Sequence, residues 1–452
     1  MILCGIICGV VCGAVCVLFS WVTTLCDKTF HANHWLIFIL PAAGILVVLL
    51  YDKFRKGEDL CTDALFRYLH GDPVLNESSA SRKTNLGPDQ VSPWLAPLIF
   101  ISTSLAYLFG GSVGRVGSAL QLGGTLGIYS TGWIGASGDP AHDDHSGIFT
   151  KPGMRYVPLA CGMAAGFCAI LNAPVAGAIF GVEVLILSGS ELIAIIPSAI
   201  ASFITWGIAH LAQVPYTDFH FNLTGGITDA GSTSDSVAMA ALKETGLASE
   251  VIIKVIIVAF AATLVGRMFC YGRTVTTRGF ARIRIKGFSD IANKIVRVLV
   301  GTGLVLALTH IAGVAHYNGI GFNYVDATMG GESAMLAFLW KLALTLLTLG
   351  CGIRGGEIAP TIFIGATSCF TLGCLIGLDP TLAAAMGFVG ALASVTNCPV
   401  SIGILGLEAI CFNGEAAIYF AITACISHFF SGTYGLYHEQ TSHHQIFKIR
   451  IP

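Results

Sequence analysis

Gly114-Arg115-Val116-Gly117-Ser118-Ala119-Leu120-Gln121-Leu122-Gly123-Gly124-Thr125 has a counterpart in the second half of the chain. It is Gly356-Glu357-Ile358-Ala359-Pro360-Thr361-Ile362-Phe363-Ile364-Gly365-Ala366-Thr367. Glycine, glycine and threonine recur at the same spacing in both. A further matching pair follows downstream. Asn172-Ala173-Pro174-Val175 leads to Ile179, Gly181 and Glu183, and Asn397-Cys398-Pro399-Val400 leads to Ile404, Gly406 and Glu408. These six identities at identical spacing mark an internal repeat. In membrane proteins, helices broken by Gly and Pro at corresponding positions of two halves point to a binding site between those halves.

Composition agrees with a membrane setting. The 452 residues are 54% hydrophobic and 11% charged, with a mean hydropathy of +0.76. Soluble domains carry about 25% charged residues, so the polar exterior of a soluble fold is missing. The expected fold class is an all-α membrane protein with several spans. A net charge of −2 gives no case for nucleic acid. Of the fifteen cysteines, Cys4, Cys8, Cys12 and Cys16 recur along one helical face, and no two cysteines form a CxxC pair. Small apolar packing residues are the preferred reading; a metal or redox role is the alternative. The first twenty residues lack a basic leader and a cleavage site. They read as the first membrane helix rather than a signal peptide, after a very short or trimmed N-terminus.

Stretches of about twenty apolar residues can cross a bilayer, and those of 10–14 are more often buried or re-entrant. The long candidates are 2–24, 35–51, 92–110, 190–212, 250–271, 290–313 and 333–352. Shorter or broken ones are 117–131, 158–171, 174–188, 360–378, 382–397, 399–412 and 416–431. The short ones follow the Gly-rich stretches, so they are expected to meet at a cavity that satisfies their open ends. The division is 1–212 as the first half, 213–249 as a polar linker, 250–440 as the second half and 441–452 as a tail. His142-Asp143-Asp144-His145 reads as a solvated acidic loop in preference to a metal site. Asn222-Leu223-Thr224 is a glycosylation sequon of a kind common by chance. Residues 267–297 carry Arg267, Arg273, Arg278, Arg282, Arg284, Lys286, Lys294 and Arg297 with one acid, which marks a cytoplasmic loop.

An anion inside a membrane needs positive potential without a full, sticky charge. Helix N-termini supply it through unpaired N–H groups and the positive end of the dipole, and glycine lets backbone approach closely. Residues 114–118 and 356–360 precede apolar runs and so aim two N-termini at one point. Pro174 and Pro399 stand at helix starts and can open a further such pair. Close helix packing is the competing explanation for one Gly-rich run; two runs with matched sequels favour a pore. The spacing is not GxGxxG, which removes a dinucleotide site. Among ionisable residues at membrane depth, Arg115 and Glu357 are the foremost candidates. Glu183 and Glu408 fit a structural role better, capping a helix or pairing with a base. Lys341 is expected to snorkel or to pair with one of the acids, and His310 to be a packing histidine. No nucleophile–base pair, metal cluster or phosphate loop stands out, so no enzyme, cofactor or metal is expected.

These residues resemble the CLC family of chloride channels and proton-coupled anion antiporters, over about residues 2–440. Gly114-Arg115-Val116-Gly117-Ser118 is similar to the family's G-[KR]-E-G-P motif, and Gly356-Glu357-Ile358-Ala359-Pro360 to its G-x-F-x-P motif. Gly435-Leu436-Tyr437 resembles the segment with the pore tyrosine. Gly355-Gly356-Glu357, with the wording around the first motif, is nearest the bacterial fluoride-type branch, whose members act as fluoride/proton antiporters. The resemblance implies a CLC-type inverted-repeat bundle of full-length and broken transmembrane helices, a homodimer with one pore per subunit, and a cytoplasmic basic segment. It implies an anion pathway at Gly114, Arg115, Val116, Gly117, Ser118, Gly356, Glu357, Ile358, Ala359 and Tyr437. Four departures stand out. Ala359 stands where the fluoride branch usually has threonine. Val116 replaces the gating glutamate. Val184 stands at the internal proton-glutamate position. Gly57-Glu58-Asp59-Leu60 replaces the first pore segment, placing Glu58 and Asp59 at the inner mouth. The expected function is permeation of chloride or fluoride across a bacterial inner membrane, passive or weakly proton-coupled. Two alternatives stay open: a proton-coupled fluoride antiporter in which Glu357 handles the proton, and a non-conducting membrane scaffold.

Overall fold

The structure, a computed structural model, describes residues 1–55, 62–69, 91–132, 134, 154–185, 190–214, 248–311, 313, 315–321, 335–409, 416–432 and 435–437. Among these there are fifteen α-helices and no strand. The first half contains α1 (Ile2–Ala32), α2 (Leu40–Arg55), α3 (Asp63–Leu69), α4 (Leu95–Leu108), α5 (Val116–Thr131), α6 (Tyr156–Leu171), α7 (Pro174–Glu183) and α8 (Ile195–Leu211). The second contains α9 (Ala248–Arg282), α10 (Asp290–Ile311), α11 (Ala337–Gly350), α12 (Ile358–Ile376), α13 (Pro380–Thr396), α14 (Pro399–Ala409) and α15 (Ala416–Phe430). Six helical segments of the described residues are long and apolar enough to cross a membrane, and seven shorter ones are apolar.

The packing repeats itself. In the first half α5 packs on α6, α1 on α4, α5, α6 and α8, α6 on α7 and α8, and α7 on α8. In the second half α12 packs on α13, α9 on α11, α12, α13 and α15, α13 on α14 and α15, and α14 on α15. Each contact of the first set has its counterpart in the second. The halves touch through equivalent helices: α5 meets α12, α7 meets α14 and α2 meets α10. This is a repeated helical bundle, as the matched motifs implied.

The Asn-x-Pro-Val signature explains the broken helices. Asn172 ends α6 at φ 54° and Asn397 ends α13 at φ 60°, a left-handed conformation that asparagine tolerates. Two residues later Pro174 and Pro399 restart the chain as α7 and α14, at the helix position where a missing N–H costs nothing. Neighbouring broken helices lie backbone to backbone. A Cβ on Gly123 would collide with the carbonyl of Gly162 across the α5–α6 contact, and one on Gly365 with that of Gly387 across α12–α13. Cys4, Cys8, Cys12 and Cys16 are fully buried, with Cys8 and Cys16 against the carbonyls of Pro158 and Ala119. All are free thiols serving as packing residues. His310 stacks on Phe38, with 5.1 Å between ring centroids.

Some boundaries differ from expectation. The basic stretch beginning at Arg267 is not a loop: α9 continues through Arg273 and Arg278 to Arg282. A long helix can carry arginines along its polar end where apolar neighbours cover only the other faces. The short α3 was not anticipated, because seven residues are too few for a clear periodic signal. Gly57-Glu58-Asp59-Leu60, His142-Asp143-Asp144-His145 and Asn222 lie outside the described residues.

Candidate functional site

Residues 114 and 356 join the two halves. The Gly114 N–H donates to the Gly356 carbonyl at 2.6 Å, and the Gly356 N–H to the Gly114 carbonyl at 2.7 Å. A Cβ on Gly356 would stand 2.8 Å from both the Gly114 oxygen and the Gly117 nitrogen, so only glycine fits this approach. The reciprocal pair pins the starts of α5 and α12 together. The first intrahelical bonds run from Ala119 N–H to the Arg115 carbonyl and from Thr361 N–H to the Glu357 carbonyl. No side chain caps either helix. The N–H groups of Val116, Gly117, Ser118, Ile358 and Ala359 therefore precede the helical ladder, and carry the positive dipole end of each helix.

The other two broken helices are closed. The Glu408 carboxylate accepts from Val175 N–H at 2.9 Å and Ala176 N–H at 2.7 Å, at the start of α7. The Glu183 carboxylate accepts from Val400 N–H at 2.9 Å and Ser401 N–H at 2.8 Å, at the start of α14. Each half thus supplies the anionic cap of the other. This bears out the structural reading of both acids. It corrects the expectation that Pro174 and Pro399 open a second pair of free N-termini: those ends already hold a carboxylate.

The open N-termini border a cavity of about 220 Å³. Its lining includes Gly117, Gly356, Glu357, Ile358 and Tyr437 from the anticipated set, with Thr62, Gln121, Arg273 and Arg354 added. Arg273 reaches in from α9 and its Nε lies 2.5 Å from Glu357 Oε1. Arg354 lies over the Tyr51 ring, 5.4 Å from its centroid. Tyr437 packs on Phe66 at 5.0 Å between centroids, and its segment is held by Leu436 N–H donating to the Val395 carbonyl at the end of α13. Among the described lining residues Glu357 is the one acid, against two guanidinium groups. The surplus positive charge and the two helix ends together suit an anion.

Other anticipated residues stand behind the lining. Val116 and Ala359 are fully buried. Ser118 Oγ is 2.9 Å from Thr103 Oγ1. Arg115 is buried and does not line the cavity; its Nη1 donates to Thr24 Oγ1 on α1 at 2.6 Å. Lys341 does not snorkel, and it bonds to no acid among the described residues. It is fully buried, donates to the carbonyls of Tyr317 and Gly319 at 2.9 and 2.7 Å, and lies over the Phe363 ring. Backbone carbonyls turned inward meet its need for acceptors where water is absent. Glu58 and Asp59 lie outside the described residues. The lining role of Arg273 escaped sequence reasoning because it depends on how α9 crosses α12. Gln121 stood inside the first Gly-rich stretch, and its position one turn after Gly117 was the available signal.

A family model described as voltage gated chloride channel matches residues 76–432. The chain is 27% identical over 418 residues to the chloride/fluoride channel protein of Pseudomonas syringae pv. tomato, covering 91% of this chain and 79% of that one. It is 26% identical over 254 residues to the voltage-gated ClC-type chloride channel ClcB of Shigella flexneri, 54% of each. Among solved structures, a CLC-type fluoride/proton antiporter aligns with a TM-score of 0.76 at 23% identity over 97% of both chains. A slow cyanobacterial Cl−/H+ antiporter aligns at 0.66 and 16% identity, over 94% of this chain and 93% of that one. These two likenesses are of fold.

Proposed function

This chain belongs to the voltage gated chloride channel family, and from that membership we propose that it conducts small anions, chloride or fluoride, passively or with weak proton coupling. The carrying observation is the pair of uncapped helix starts, bonded Gly114 to Gly356, at one cavity whose described lining has surplus positive charge. The anion is held by the pathway named above, from Gly114–Ser118 and Gly356–Ala359 to the Tyr437 hydroxyl. Val116 supports the passive mode: a buried aliphatic side chain neither takes up a proton nor competes with an anion at the start of α5. The two halves are 1–212 and 250–440, joined by 213–249 and followed by a tail at 441–452. We further propose a homodimer in a bacterial inner membrane.

The deciding measurement is fluoride and chloride efflux from proteoliposomes, with and without a proton ionophore. Efflux that needs only a potassium shunt supports the passive mode. Efflux with stoichiometric proton uptake overturns it. One observation favours that second mode: Glu357 is the acid at the cavity wall. It would then be the proton carrier, and Glu357→Gln would abolish proton movement while sparing anion flux. No efflux of either ion would make the protein a membrane scaffold of this fold.

A further inference from the structure

We propose that the Gln121 side chain is a ligand of the permeating anion, donating from its Nε2 while Thr62 holds the amide in place. The proposal rests on the reading of the cavity as an anion site. Gln121 lies one helical turn after Gly117 on α5, and both line the cavity. It is 4% exposed. Its Oε1 accepts from Thr62 Oγ1 at 3.3 Å, whereas its Nε2 has no hydrogen-bond partner among the described residues. Buried amide N–H groups are nearly always paired, so this one calls for an acceptor. The acidic candidate on the cavity wall, Glu357, is engaged by Arg273. A partly dehydrated anion in the cavity supplies what is missing.

The repeat gives an independent comparison. Gln121 and Phe363 are equivalent positions, and both backbone carbonyls accept from the threonine one turn later, Thr125 at 2.7 Å and Thr367 at 2.8 Å. In the second half the place is filled by an aromatic ring packed against Lys341 and Tyr317. Helix packing at this position is thus satisfied by an apolar side chain. The amide at 121 serves the cavity instead.

The test is calorimetric titration of fluoride and chloride into the purified full chain, paired with proteoliposome efflux, for the wild type, Gln121→Leu and Gln121→Glu. Loss of a hydrogen bond to a charged ligand should weaken binding by the wild-type-preferred ion roughly 10- to 100-fold in Gln121→Leu. In Gln121→Glu, nearly the same size, binding should vanish near neutral pH and return on acidification, as the carboxyl is neutralised. The wild-type profile, to which Arg273 from α9, Arg354, Glu357 and Tyr437 contribute, is the reference. Wild-type affinity in Gln121→Leu overturns the assignment. So does a loss in Gln121→Glu that acid does not reverse, since that is a packing defect. A wild type that neither binds nor conducts overturns the anion reading itself, and the glutamine's role with it.

Discussion

Val116 occupies the first turn of a helix whose N–H groups have no side-chain cap. A carboxylate there would sit on the positive end of the dipole and compete with the anion for the same donors. Val116→Glu is therefore expected to slow passive efflux about tenfold near neutral pH, with flux recovering on acidification; unchanged efflux would show that position 116 does not control the path. Glu357 and Arg273 form the second residue-scale device. Their 2.5 Å contact cancels one of the two guanidinium charges at the cavity. Glu357→Gln should leave Arg273 uncompensated and tighten anion binding by roughly tenfold, and Arg273→Gln should weaken it by a similar factor. Titration of chloride or fluoride against each variant reads both signs, and like signs would refute the balance of charges.

At the scale of elements, four broken helices share one sequence logic and divide into two uses. The starts of α7 and α14 are sealed by carboxylates from the opposite half, whereas α5 and α12 are left open. Removing a sealing acid leaves two N–H groups without their acceptor in an apolar setting. Glu183→Ala and Glu408→Ala should each cost about 2–3 kcal/mol of stability. For a chain of this size that appears as a lowered unfolding temperature in a thermal melt, with fluoride-to-chloride preference unchanged. A change of ion preference without loss of stability would place these acids in the pathway instead. The Asn-x-Pro-Val signature made the helix breaks legible in sequence, because asparagine and proline each dictate a backbone state. Which break stays open was not legible, since the caps come from residues more than two hundred positions away.

At the scale of the whole molecule, the repeat and the low charge content carried the fold. Matched glycines and prolines predicted paired half-helices, and the mirrored set of helix contacts is their consequence. The cavity was legible only in part. Gly117, Gly356, Glu357 and Ile358 followed from the motifs, because helix ends are encoded locally. Arg273, Arg354 and Thr62 did not, because their place depends on how distant helices cross. Lys341 shows the same limit: its charge suggested an acid partner, but the fold turns the carbonyls of Tyr317 and Gly319 toward it.

The reciprocal bonds between Gly114 and Gly356 bear on speed. They stitch the backbone of one half to that of the other, so neither loop can swing aside without breaking both bonds. If the protein conducts passively, as proposed above, these bonds hold while ions pass, and throughput is governed by how fast an ion sheds and regains water. Flux should then rise only gently on warming, as diffusion does, whereas a rocking carrier would show the steep temperature dependence of a protein rearrangement. Recording efflux across a range of temperatures tells the two apart.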